Sequence, residues 1–122
     1  MADICNLLPL NGTVSLTSTA SSASYSLHRK ADLLINECFV EVTTNVSGTV
    51  TAPVVSLAIN GAVVATKTIV SGTAAPQGVS FDLPNNNAGT RALQVGDQVT
   101  IACQTAAAGS PAGAVRALIA FK

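Results

Sequence analysis

The sequence predicts an all-β protein: a single antiparallel β-sandwich of seven or eight strands, preceded by an extended N-terminal arm. Three observations predict it. Apolar and polar residues alternate with a period of two in several short segments. Turn-forming Gly, Pro, Asn and Asp residues punctuate the chain about every 8 to 12 residues, the spacing of sandwiches and barrels. The commonest residues are of moderate size, 20 Ala, 14 Val and 13 Thr among the 122 residues, which favours strands or light packing over a dense aromatic core, and only a segment from Ala31 to Phe39 could be helical on propensity.

Residues 1–24 read as an arm or edge strand, and residues 25–122 as the sandwich domain. The first part has a short apolar head (Ile4, Leu7, Leu8, Leu10), punctuation at Pro9 and Asn11-Gly12, and a Ser/Thr tract in which Val14 to Thr17 alternates for one brief strand. An arm of this kind is either a frayed terminus or lies on a neighbouring subunit, and on the second reading Leu7, Leu8, Leu10, Val14 and Leu16 are candidate contact residues. On this reading, deleting residues 1–20 abolishes assembly and leaves the sandwich folded.

Leu33 to Thr44 is the longest strong segment. Read as one strand, it puts Leu34, Cys38, Val40 and Val42 on one face and Leu33, Ile35, Glu37, Phe39 and Glu41 on the other. A Phe between two glutamates on an outer face is unusual for plain solvent, so Glu37, Phe39 and Glu41 are candidate contacts. Asn45 to Pro53 reads as a loop. Asn60-Gly61 between Val54–Ile59 and Ala62–Val70 is the strongest hairpin signal in the chain, because both turn positions need positive φ. The two-residue loop predicts Ile59 opposite Ala62, Leu57 opposite Val64 and Val55 opposite Thr66, with Leu57, Ile59 and Val64 facing the core. After a loop at 71–77, Gly78 to Leu83 alternates with Val79, Phe81 and Leu83 inward, and Pro84 to Gly89 is a polar loop.

The closing stretch, Leu93 to Lys122, reads as a hairpin. Val99, Ile101 and Cys103 point inward after a Gly96-Asp97 turn, and a soft loop spans Thr105 to Gly113. Val115, Ala117, Ile119 and Phe121 take the inner face of the last strand. Its outer face carries Arg116, Leu118 and Ala120, which makes Arg116 and Leu118 candidate contacts.

Composition limits the function classes. Charged residues make up 10% of the chain and the formal net charge is zero, well below the roughly 25% of ordinary soluble domains. Six basic residues with no cluster beyond His28-Arg29-Lys30 give no footprint for a nucleic acid backbone. No apolar run reaches the roughly 18 residues of a membrane helix. The N-terminal residues lack the pattern of a secretory signal, and three unpaired-looking cysteines (Cys5, Cys38, Cys103) suit a reducing compartment, so synthesis in a cytoplasm is expected. So few charges cannot cover a monomer, and exposed aliphatic surface of this kind marks an interaction surface.

Catalytic motifs are not found. The single histidine, His28, sits beside two cations and has no neighbouring nucleophile pattern. The cysteines lack the short spacing of zinc sites. Glu37 and Glu41, four residues apart on one strand, would be about 13 Å apart, too far for a glycosidase pair. No enzyme activity, cofactor or metal is therefore expected. A sugar-binding module is the competing reading, poorly served by one tyrosine, Tyr25, and no tryptophan.

Leu93 to Ile101, Leu-x-Val-Gly-Asp-x-Val-x-Ile, followed by a small-residue loop and Gly113-Ala-Val-Arg-Ala-Leu-Ile-Ala-Phe121, resembles the closing hairpin of small jelly-roll proteins, including trimeric proteins of the complement and tumour-necrosis-factor type. The fold this implies is jelly-roll-like. The texture of the whole chain, low in charge, rich in Ala, Thr and Val, with a Ser/Thr-rich N-terminal arm, is similar to capsid decoration (cement) proteins of tailed bacteriophages. That resemblance implies a virion structural protein on a capsid surface, made in a host cytoplasm. It would be a homo-oligomer, with a trimer favoured, that binds the major capsid protein between shell subunits. The alternative is a tail-fibre or surface module that binds host carbohydrate or protein.

Overall fold

The computed structural model describes residues 6–10, 12–19, 21–70, 72–81, 90–105 and 108–122. Cys5, Leu83 and the polar loop from Pro84 to Gly89 lie outside the described residues, as do the side chains of Leu7 and Leu8. Among the described residues there are eleven strands and one short 3-10 helix, arranged as two antiparallel sheets. The protein is an all-β sandwich. The strand count exceeds the expected seven or eight because three further strands form, β1 (Asn6–Pro9), β4 (Ala31–Leu34) and β9 (Thr90–Leu93), each of four residues; β2 (Val14–Ser15) is shorter still. Pieces this short carry almost no periodic signal.

The larger sheet is built on β11 (Ala108–Phe121) and β5 (Phe39–Thr51), its two longest strands. The sheet runs β8 (Gln77–Ser80), β5, β11, β4, β9, with β1 and β2 also paired to β11. Leu118 pairs with Phe39 of β5 and with Pro9 of β1, so these two strands lie on opposite edges of β11. The smaller sheet has the order β3 (Ser22–Ser26), β10 (Gln98–Thr105), β6 (Val54–Ile59), β7 (Ala62–Thr68). One core lies between them. Val40, Val42, Val115 and Ile119 from the larger sheet, with Val55, Leu57, Val99 and Ile101 from the smaller, are fully buried in it.

The closing stretch is not a hairpin. β10 belongs to the smaller sheet and β11 to the larger, so the chain after Thr105 crosses the sandwich. Alternation places their inward residues correctly, since Val99, Ile101, Cys103, Val115, Ala117 and Ile119 are all buried, with Phe121 half-buried at the end. Both segments face one core, and a period-two pattern looks the same whether two strands are bonded to each other or stacked across that core. The loop expected from 105 to 113 is largely strand, and its pairing with β5 is interrupted by several register shifts between Ala108 and Val115. Bulges of this kind break the alternation on which a sequence-based expectation depends.

The segment 33–44 is two strands rather than one. The 3-10 helix Ile35–Glu37 separates β4 from β5. The helix changes the parity, so Leu33 is buried before it, Ile35 at its start, and Cys38, Val40 and Val42 after it. β5 then continues through the expected loop to Thr51, with Val46 buried.

The Asn60-Gly61 turn forms as expected, with φ of 51° and 86° at its two positions. Ile59 opposes Ala62 as predicted. A register shift follows, so Leu57 opposes Ala65 and Val55 opposes Lys67 rather than Val64 and Thr66. The shift lets Val64 and Ala65 both bury, with Leu57, while Ile59 is only half-buried.

This turn is locked to the Gly96-Asp97 turn. Asn60 Nδ2 donates to Asp97 Oδ1 at 3.0 Å, the Gln98 amide donates to Asn60 Oδ1 at 2.9 Å, and the Gln94 amide donates to Asp97 Oδ2 at 2.8 Å. The amide of Gln94, and after it the side chain of Asn60, hold the Asp97 carboxyl below its ordinary range. A depressed folded pKa contributes stability that is present above the unfolded value near 3.9 and is lost as pH falls through the folded value. Urea midpoints measured from pH 7 down to pH 2 are expected to fall less in Asp97→Asn than in the unmodified chain. Equal acid losses in the two would remove Asp97 from the pH dependence.

Most of the described part of the arm is stitched into the sheets. β1 and β2 pair along β11, and β3 pairs along β10. The amides of Leu10 and Leu16 donate to the carbonyls of Ala117 and Gly113, both at 3.1 Å. Leu10, Val14 and Leu16 are buried in the core. They are not exposed contacts, because their side chains are consumed inside the same subunit.

Candidate functional site

The outer face of the larger sheet gathers four of the predicted contact residues. β5 and β11 run antiparallel with Val40 opposite Ala117, and these two inward residues are buried. Alternation therefore turns their neighbours outward. Glu41 stands opposite Arg116 and Phe39 opposite Leu118, two cross-strand pairs side by side, and all four residues are half-buried.

Arg116 Nη2 donates to Glu41 Oε1 at 2.7 Å, with the two side chains 41% and 31% exposed. At that exposure the pair contributes at most about 1 kcal/mol to folding, since water screens it. Its value is positional: each side chain is held where the other needs it. Arg116 Nε is buried and has no acceptor among the described residues. A guanidinium offers five N–H donors, and this one is only partly used.

Phe39 is positioned from the other side by β8. Phe39 pairs with Ser80 and Glu41 with Gly78. A Cβ on residue 78 would come within 3.2 Å of Phe39 Cδ2 and 3.3 Å of Cε2, so the absence of a side chain there makes room for the ring. Nothing in the sequence marks Gly78 as a contributor. Its register opposite Glu41 is a long-range fact, and no local pattern announces it.

The other predicted contacts separate from this face. Glu37 is exposed on the 3-10 helix, off the alternation that links Phe39 and Glu41. Ala120, which the alternation of the last strand turns outward with Leu118, is fully buried, and its amide donates to Cys38 Sγ at 3.3 Å. Cys38 and Cys103 are both buried thiols, and burial raises the Cys103 pKa, which disfavours the reactive thiolate.

A second feature lies where β4, β9 and the end of β11 meet. Lys30, Asp32, Gln94 and Lys122 line an open depression of about 330 Å³. Tyr25 makes an edge contact with His28, ring centres 6.0 Å apart, and a tilted contact with Phe121 at 6.3 Å. Among the described residues no group of three or more His, Cys, Asp or Glu is placed to hold a metal ion.

No protein-family model matches the chain, and no curated protein matches it. A solved structure of a carbohydrate-binding module (CBM36) in complex with calcium and xylotriose is similar over 100% of this chain and 91% of its own, at 14% identity and a TM-score of 0.47. A likeness at that level carries no inference about what this chain binds.

Proposed function

We propose that this chain is a non-catalytic virion structural protein that decorates and stabilises a phage capsid, binding between shell subunits as an oligomer. The observation that carries the reading is the outer face of the larger sheet. Phe39, Leu118, Glu41 and Arg116 form a neutral, half-apolar surface held in place by cross-strand register and by the space above Gly78. Such a surface suits covering by protein. The low charge of the chain, 10% of its residues, fits a subunit that works inside an assembly. Many copies bound at once turn modest contacts into firm attachment through avidity.

The test is to add the purified chain to capsid shells that lack it. Co-sedimentation in a fixed ratio to the major capsid protein, and density on the shell by electron microscopy, are the expected results. A strict monomer that never co-sediments with shells would sink the reading.

A second reading, a fibre or surface module for host carbohydrate, has one observation in its favour. Tyr25 groups with His28 and Phe121, and the latter two lie close in sequence to the Lys30 and Lys122 of the open depression. Specific hits on a glycan array, lost in Tyr25→Ala, would promote it over the first.

A further inference from the structure

Resting on the reading of this chain as an assembling subunit, we propose that the outer face of its larger sheet is a two-fold interface with a second copy of the same chain. The register carries the proposal. Glu41 pairs with Arg116, and Phe39 pairs with Leu118, across the same two neighbouring strands. A two-fold axis lying in the plane of the interface, along the line between β5 and β11, exchanges the two strands. It lays Arg116 of one copy over Glu41 of the other, twice, and Phe39 over Leu118, twice. Positive meets negative and apolar meets apolar at every position, so the surface is complementary to itself, as an isologous interface requires.

The geometry suits two sheets packed face to face. Such sheets lie about 10 Å apart with their strands roughly aligned, and rotation about an axis parallel to the strands leaves the strands aligned. Two apolar side chains can fill that spacing from opposite sides. Phe39 is already held by its packing on Gly78, which lowers the entropy cost of using it as an anchor. Arg116 engages Glu41 through Nη2 at 2.7 Å. Its Nη1 hydrogens are therefore left to donate to a second carboxylate. Two arginines and two glutamates then alternate in a ring, which compensates for the removal of the charges from water far better than one buried pair would.

The experiment is a charge exchange read by sedimentation velocity and light scattering. The unmodified chain is expected to show a concentration-dependent mass of two subunits. Glu41→Arg sets guanidinium against guanidinium across the interface, and Arg116→Glu sets carboxylate against carboxylate. Each variant alone is therefore expected to dimerise at least about a hundredfold more weakly. Mixed in equal amounts, the two variants are expected to recover the mass of two subunits as a heterodimer. Leu118→Lys, which changes no partner of the ion pair, is expected to give a monomer that mixing with either variant does not rescue. Circular dichroism melts of each variant separate lost association from lost folding.

A monomeric unmodified chain at its highest soluble concentration overturns the proposal. So does a trimer, or a dimer whose mass survives both charge reversals. If the unmodified chain is monomeric yet still coats shells, the two-fold interface fails and the capsid reading stands. If the reversals break a dimer that never binds shells, the two-fold interface stands and the capsid reading fails.

Discussion

Deletion of residues 1–16 is expected to unfold the domain, contrary to what the arm reading of the sequence implies. Leu10, Val14 and Leu16 are buried to within 2% of complete. Burying each such side chain stabilises by about 1.5–3 kcal/mol, so the three together contribute roughly 5–9 kcal/mol before the cost of ordering the segment is subtracted. A whole domain of this size has only about 5–15 kcal/mol in hand. The deletion also uncovers one edge of β11, where β1 and β2 pair, and leaves its amides and carbonyls without partners. Circular dichroism and urea titration are expected to show a largely unfolded or aggregating chain at 25 °C. Leu16→Ala, the milder version, is expected to cost about 2–5 kcal/mol. A deletion variant with the urea midpoint of the full chain would mean that these side chains add nothing to the core.

Adjacent substitutions on the last strand are expected to separate folding from association. Ile119 is fully buried in the centre of the larger sheet, and its neighbour Leu118 is half-buried on the outside. Ile119→Ala is expected to lower stability by about 2–5 kcal/mol, the lost transfer energy plus a cavity that surrounding strands cannot close. Leu118→Ala is expected to cost less than about 1 kcal/mol in an isolated subunit, because the truncated side chain leaves no internal cavity. On the proposed function its effect is expected in binding instead, as weaker self-association and weaker retention on shells. Urea titration at low concentration, where subunits are separated, paired with sedimentation at high concentration, reads the two effects apart. Equal losses of stability from both substitutions would show that the outer face is as much core as the inner one.

These two residues also mark how far the sequence alone reaches. The inner and outer faces of β10, and of β11 from Val115 to Ile119, are legible in it, because uninterrupted alternation follows directly from the geometry of a strand. Phe39, Glu41, Arg116 and Leu118 stand out from the same alternation, as large or charged groups on a face opposite the core. That they form one surface is not legible. Glu41 and Arg116 are 75 residues apart in the chain, and Phe39 and Leu118 are 79 apart, and only sheet pairing sets which meets which. Glu37 groups with Phe39 in the sequence and not in the fold, because one turn of 3-10 helix alters the parity. Ile35–Glu37 has no Pro or Gly to announce that turn. Of the two readings of residues 1–24, arm or edge strand, the described residues take the second, as strands paired to β11 and β10. A short run of Leu and Val is equally suited to a neighbour's surface and to the chain's own sheet edge, and the choice depends on whether β11 has an edge to offer.

By itself the sequence determined the class of fold, the Asn60-Gly61 turn, and which side of each regular strand is apolar. These properties depend on residues within a few positions of one another: φ at a two-residue turn, and alternation every second residue. Only the tertiary structure decided that the two closing strands lie in different sheets, that the N-terminal segment completes the core, and that four of the predicted contact residues share one face. Those outcomes depend on which strands bond and in what register, and backbone hydrogen bonds are much the same for every residue type but proline. The side chains choose a face; long-range pairing chooses the neighbour.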